Sequence, residues 1–212
     1  MPTSYSYKYP RPMVTVDLVV FALSQDGLRT LFIRRKNEPF AGQWAIPGGY
    51  LEMDEPIEKA ARRELKEETG LVDLVFVSEI GVFGEPGRDP RGRTISIAYM
   101  GVVKGPLPAV EGGDDAAGAA WLDPMTIHGL AFDHDAILAE ARYRLSIALF
   151  DSEFLLTILP EDFTPSDLDC LFQLQMADGN WTSRWISMSL RRGLIERLPG
   201  KARRYRAIRE PQ

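Results

Sequence analysis

Two rhythms of apolar and polar residues divide the chain. Val14 to Leu23 and Arg29 to Lys36 are rich in large and β-branched apolar residues, the mark of strands. Between them Ser24-Gln25-Asp26-Gly27-Leu28 carries the strong hairpin dipeptide Asp-Gly. Val75 to Phe83 and Thr94 to Val103 predict two further strands, joined by a loop from Gly84 to Gly92 too polar and too rich in glycine and proline to be core. That loop is a candidate substrate loop. A longer period governs Pro56 to Thr69, which reads as a helix opened by acidic residues and proline and closed by Gly70. A second helix spans Asp133 to Phe150, with Ile137, Ala141, Leu145, Ala148 and Leu149 as its apolar stripe. Strands, a helix between strands and a closing helix predict an α/β sandwich.

From Ser152 the order changes. Thr164-Pro165-Ser166-Asp167 starts a helix on which Leu168, Leu171, Phe172 and Met176 share a face. Trp181, Trp185 and Met188 mark a second short helix ending at Gly193, followed by strand-like Leu194 to Leu198 and Arg204 to Ile208 around Pro199-Gly200-Lys201. Two helices and a two-stranded wing make a winged helix-turn-helix. The expected division is therefore a domain at 1–151 and a second at 152–212.

Composition narrows the class. Of 212 residues, 45% are hydrophobic and 26% charged, as in an ordinary globular protein with a real core. The single cysteine, Cys170, leaves no internal disulfide and no cysteine-based zinc cluster, and its place on an apolar helix reads as packing. The run Val14 to Leu23 is broken by Asp17 and follows no basic segment, so it reads as a strand and not as an export signal. A cytoplasmic protein without membrane association is expected. Net charge is −5, yet residues 181–212 hold nine basic against two acidic side chains, a local +7 that leaves −12 on the first 180. A basic tail on an acidic body suggests a second surface able to meet an anion such as nucleic acid.

The helix of residues 56–69 carries the most informative chemistry. Glu64, Glu67 and Glu68 stand at i, i+3 and i+4 and project from one face, while Ile57, Ala60, Ala61 and Leu65 lie on another that can pack on a sheet. Three adjacent carboxylates repel one another, and a hard divalent cation reverses that sign; magnesium, with manganese as the alternative, suits oxygen ligands completed by water and phosphate. For three glutamates alone, a solvated acidic face explains as much. His128 and His134 stand too far from this helix to suggest a histidine metal site, and are read as cap or surface residues.

The wider pattern goes further. From Gly49 the chain runs Gly-x5-Glu55-x7-Arg63-Glu64-Leu65-x-Glu67-Glu68-x-Gly70-Leu71. This resembles the box of the Nudix hydrolase family at every fixed position, and Trp44-Ala45-Ile46-Pro47-Gly48-Gly49 resembles the segment preceding it. The resemblance covers about Thr15 to Phe150. It implies that Glu64, Glu67 and Glu68 bind the metal with the Gly48 carbonyl, and that Arg63 pairs with Glu55 to orient loop and helix. It also implies attack of water on a nucleoside diphosphate joined to another group.

Arg88-Asp89-Pro90-Arg91-Gly92-Arg93 resembles the corresponding loop of ADP-ribose pyrophosphatases in that family. Arg88, Arg91 and Arg93 are accordingly candidate phosphate ligands. Phe40, Trp44 and Tyr50 are candidates to stack on an adenine, each equally able to be core. Relatives commonly have a glutamate where this chain has Gly118, one often proposed to activate water. Glu111, Asp114, Asp115 or Glu67 are the alternatives as base.

The segment from 152 resembles the C-terminal winged helix of Nudix-related transcriptional regulators of NAD metabolism. There Arg184, Arg191, Arg192, Lys201, Arg203 and Arg204 are candidate DNA contacts. Where those regulators carry Asn-aromatic-Arg-Arg-Lys, this chain has Arg184-Trp185-Ile186-Ser187-Met188, with Ile186 and Met188 reading as packing residues. An intact box and an altered recognition helix favour an enzyme over a regulator. The expectation is a magnesium-dependent hydrolase of ADP-ribose or a similar nucleotide sugar, homodimeric by family resemblance, with a DNA-binding regulator responsive to ADP-ribose as the alternative.

Overall fold

The computed structural model describes residues 7–24, 26–113, 116–172, 180–200 and 203–208. Its first strands follow the apolar runs: β1 (Met13–Ser24) and β2 (Gly27–Arg35) pair as a hairpin from Phe21↔Thr30 to Ser24↔Gly27. Beyond that register the two strands part. The gap between them is bridged by one short segment, whose β3 (Trp44–Ala45) pairs with β2 and whose β4 (Gly48–Tyr50) pairs with β1 at Thr15 to Asp17. The glycines ahead of the carboxylate helix are thus held by backbone hydrogen bonds on the sheet.

The helix α1 (Ile57–Thr69) ends at Gly70, whose φ of 73° is the left-handed cap that glycine adopts without a Cβ penalty. β5 (Phe76–Phe83) pairs antiparallel with β6 (Thr94–Val103), and β6 runs parallel to β1 along Met13 to Ala22. β7 (Ala116–Leu122) completes the sheet on β2. The helix α2 (His134–Ala148) closes the sandwich.

Alternation along β1 sets the layers. Val16, Leu18, Val20 and Ala22 join Ala60, Ala61 and Leu65 of α1 in one apolar cluster. Val19 and Phe21 point the other way, to Ile137, Ala141 and Leu145 of α2. Burying such side chains stabilises by about 1.5–3 kcal/mol each. Asp17 falls on the α2 side, a charge inside an otherwise apolar row.

The remaining elements are α3 (Ser152–Ile158), β8 (Asp162–Phe163), α4 (Pro165–Phe172), α5 (Trp181–Arg191), β9 (Ile195–Arg197) and β10 (Tyr205–Ala207). The Asp151 carboxylate caps α3, accepting from Glu153 N–H at 2.8 Å. β8, β10 and β9 form a separate antiparallel sheet. Ile158, Leu171, Phe163 and Trp185 belong to the same apolar cluster as Phe21 and Leu145, so hydrophobic packing is continuous from the sandwich into the winged helix. The α/β/α sandwich followed by a winged helix is the architecture expected from the sequence.

Three local expectations are corrected. Ile57, the first residue of α1, is 39% exposed, and the buried face of the helix begins at Ala60. Met188 is also exposed, lying on the outer face of α5 while Trp185 and Ile186 take the core. β7 and α3 had no clear periodic signal and were not foreseen. Gln25, Asp114, Asp115, Met176 and Lys201 lie outside the described residues. Among the described residues no helix is long and apolar enough to cross a membrane.

Candidate active site

A cavity of about 330 Å³ opens where β4, the N-terminal half of β1, α1 and the loop after β5 meet. Glu64 and Glu68 line it, with Gly48 and Gly49 beside them. Gly48 is required by backbone, whereas a side chain at Gly49 would displace the Glu64 carboxylate. A Cβ at Gly49 would stand 2.4 Å from the Glu64 carboxyl carbon, and one at Gly48 would stand 2.2 Å from the Val16 carbonyl. The Gly48 N–H donates to Glu68 Oε2 at 2.9 Å.

The three helix carboxylates occupy different environments. Glu67 is exposed, Glu64 is half-buried, and Glu68 is buried at 7% exposure. Burial pushes the Glu68 carboxyl up to about 8, with Glu64 and Asp17 adding repulsion and the Gly48 N–H partly opposing it. Burial likewise raises Glu64. Arg63 lies across the group. Its Nη1 donates to Glu64 at 2.8 Å and to Glu67 at 3.0 Å, while Nε and Nη2 grip Glu55 at 3.1 and 2.7 Å. Its Nη2 also reaches the Tyr50 carbonyl at 3.1 Å, so one guanidinium ties the loop of β4 to α1. The hydrogen bond from Arg63 holds Glu55 below its usual range, and the Glu55 pair raises Arg63 in turn.

This donor set fits a divalent cation in an open site. Glu68 has no cation within ion-pair distance among the described residues, and burial beside Glu64 favours its protonated form, a proton that a bound metal ion would displace. Among the described residues no three acidic, histidine or cysteine side chains stand together as a metal-holding group, and Glu67 lies outside the cavity lining, so substrate oxygens and water would complete the shell. Thr15 supplies a buried hydroxyl on the cavity wall with no partner among the described residues.

The loop arginines separate into distinct roles. Arg88, foreseen as a phosphate ligand, is 4% exposed at its side chain, and its guanidinium is taken by Asp133 at 2.6 and 2.9 Å with Asp17 at 3.6 Å. It touches the cavity but acts as a brace. Arg93 turns back to the Gly84 carbonyl and does not line the cavity. Arg91 does line it, paired with Asp89 at 2.7 Å and lying 5.4 Å from the Tyr50 ring and 5.5 Å from the Phe132 ring. Of the three aromatic candidates only Tyr50 reaches the cavity. Trp44 packs on the core, and Phe40 meets the edge of Phe132 at 4.8 Å.

Sequence reading missed Asp17, Arg35, Phe132 and His134, which all line the cavity. Phe132 has φ of 56°, unusual for a bulky side chain, and Arg35 lies 4.8 Å from its ring. His134 is buried and not a surface residue. Asp17 was visible as a break in an apolar strand, and that was the one signal available.

At the position of the missing carboxylate, Gly118 sits on β7 opposite Arg34, and a Cβ there would meet nothing within 4 Å. The preceding loop packs against the end of α1, where Gly113 N–H donates to the Glu68 carbonyl at 2.9 Å.

A model of the NUDIX domain matches residues 12–142, and the chain belongs to the Nudix family. Within it the chain falls among the diphosphate hydrolases, whose chemistry uses a divalent metal ion. It is 44% identical over 133 residues to the ADP-ribose pyrophosphatase of Methanocaldococcus jannaschii, a match covering 62% of this chain and 74% of the relative. It is 27% identical over 192 residues to the ADPR responsive transcriptional repressor NtrR of Acinetobacter baylyi, covering 89% and 76%. Among solved structures, a MutT/nudix family protein from Enterococcus faecalis superposes with a TM-score of 0.76 at 27% identity, covering 97% of this chain and 90% of that one.

Proposed function

We propose that the protein hydrolyses ADP-ribose to AMP and ribose 5-phosphate with magnesium bound at Glu64, Glu67, Glu68 and the Gly48 carbonyl. The observation that carries this reading is the cavity itself. It joins Glu64 and Glu68 of α1 to the Arg91 guanidinium on the facing loop, in a chain 44% identical over 133 residues to an ADP-ribose pyrophosphatase. A divalent ion held by these residues would neutralise charge on the diphosphate and lower the pKa of a water molecule. Water oxygen forms a bond to one phosphorus as the bridging P–O bond breaks. The water proton passes to a carboxylate base, and the two products leave as phosphomonoesters.

The chain's own groups prepare that step. Arg63 fixes Glu64 and Glu67 while tied to Glu55, so α1 and the β4 loop keep one geometry. Arg91, between the Tyr50 and Phe132 rings, holds the distal phosphate or the base by charge and stacking. Purified protein with magnesium is expected to convert ADP-ribose faster than NADH, other nucleotide sugars or dinucleoside polyphosphates. Turnover of none of them by folded protein would overturn the hydrolase reading.

A second task is supported by the outer face of α5. Arg184, Ser187, Met188 and Arg191 are exposed along one stripe, with Arg192 beside it and Arg203 and Arg204 exposed on the wing. Arg206 is committed to Asp162 at 2.9 Å. Such a surface suits DNA phosphates, in keeping with the repressor among the relatives. Salt-sensitive binding to promoter DNA, changed by ADP-ribose, is the expected result; equal binding to random DNA would remove this task. A division of labour at 151/152, a homodimer and a cytoplasmic location complete the reading, the dimer on family resemblance and the location on the lone cysteine.

A further inference from the structure

Behind the glycine loop lies a buried polar ring that the reaction chemistry does not itself require. Asp17 on β1 accepts a short hydrogen bond from the Ser96 hydroxyl on β6. Arg88 lies 3.6 Å from Asp17 and is locked to Asp133, the residue before α2. His134 follows at the first turn of α2, with Nε2 at 3.5 Å from Asp17 Oδ1. Its other nitrogen, Nδ1, accepts the Ile46 backbone N–H at 2.9 Å, a contact bridging 88 positions of sequence.

Ile46 sits in the two-residue link between β3 and β4. Pro47 is pinned by its carbonyl, which accepts from Leu18 N–H at 2.9 Å, and Gly48 then donates to Glu68. We infer that His134 is a positioning residue for the hydrolytic centre: it anchors the Ile46 amide, so fixing the Ile46-Pro47-Gly48 turn that presents Gly48 to Glu68.

The tautomer follows from the two contacts. Nδ1 accepts from Ile46, so the proton sits on Nε2, which faces Asp17 Oδ1 at 3.5 Å. Burial keeps the imidazole from protonating, with Asp17 and Asp133 opposing that shift and Arg88 and Arg35 reinforcing it. A charged imidazole would have no lone pair at Nδ1 for Ile46. Asp17 accepts from Ser96 and lies within ion-pair distance of Arg88 and His134, so its charge orients the ring.

The comparison of His134→Asn, His134→Gln and His134→Leu tests this. Asparagine places an acceptor near the Nδ1 position, glutamine places polar atoms only near Nε2, and leucine keeps bulk alone. His134→Asn is expected to keep kcat within about 3-fold, with His134→Leu and His134→Gln losing about 10- to 100-fold and needing more divalent metal for half-saturation. Amide hydrogen exchange is the independent readout: Ile46 stays protected in His134→Asn and opens in the other two. If His134→Leu fails to fold, the Asn and Gln variants carry the comparison alone. Equal kcat and equal Ile46 protection across the folded variants would overturn the inference, as would His134→Asn behaving like His134→Gln. The kcat comparison rests on the proposed hydrolase activity. Ile46 exchange does not, so failure of that activity and failure of the anchoring role are told apart.

Discussion

Two charged clusters border the same cavity and treat their charges in opposite ways. In the ring behind Gly48, carboxylates Asp17 and Asp133 meet Arg88, Ser96 and His134, each contact joining complementary groups. On α1, Glu64 and Glu67 share Arg63 with Glu55, and Glu68 is left to a single backbone N–H. Burial taxes both clusters, but only the first is compensated from within. The difference separates scaffold from chemistry: the compensated ring holds the loop and the uncompensated face awaits an ion and a substrate.

The largest effect that sharpens this contrast is expected from Glu68→Gln. Hydrolysis should fall about 10³-fold, while thermal stability without metal holds near neutral pH, because burial already keeps the Glu68 carboxyl largely protonated and the Gly48 N–H keeps an oxygen acceptor. A steady-state assay beside a melting curve reads both at once. Arg88→Ala should do the reverse in kind. It strands Asp17 and Asp133 and costs about 3 kcal/mol of unfolding free energy in denaturant titration, the low end for a broken buried pair because Asp133 is partly exposed. A stable Arg88→Ala protein with a raised KM would return Arg88 to the role of substrate ligand.

Arg91→Ala comes next, with KM for ADP-ribose up about 10-fold and a smaller loss of stability than for Arg88→Ala, since the buried Asp89 loses its guanidinium but keeps the backbone N–H of residue 91. The smallest effect is a pH dependence. His134 is held below its usual 6.5 by burial among Asp17, Arg88, Asp133 and Arg35. Above pH 6.5 the imidazole is neutral in folded and unfolded chains, and its contribution is complete. As pH falls below that point the unfolded chain binds the proton first, so stability declines by at most about 1.4 kcal/mol per pH unit until the folded value is passed. His134→Asn should flatten that component of an acid denaturation series; an unchanged slope would place the titration elsewhere.

The carboxylate face was legible because a helix repeats at a fixed spacing, so Glu64, Glu67 and Glu68 declare their shared side in a single line of sequence. The compensated ring was illegible for the opposite reason. Asp17, Ser96, Arg88 and His134 come from separate elements, and only the parallel pairing of β1 with β6 and the packing of α2 bring them together. Asp17 looked like an interruption and His134 like a surface residue until those contacts were made. The loop arginines were read as one set because composition cannot say which guanidinium finds a buried carboxylate first. β7, with its Ala116-Ala117-Gly118-Ala119-Ala120 run, lacks β-branched residues and is a strand through pairing with β2. On α5, the short helix spacing identified Trp185 as core but could not place Met188 on the outer side of the same turn.

Manganese binding followed by electron paramagnetic resonance, in wild type and in Glu68→Gln, tests the contrast between the clusters most directly. Wild type is expected to bind the ion without nucleotide, and Glu68→Gln to weaken it about 10-fold or more. Indistinguishable binding curves from two folded proteins would contradict the assignment of the α1 carboxylate face as the metal site.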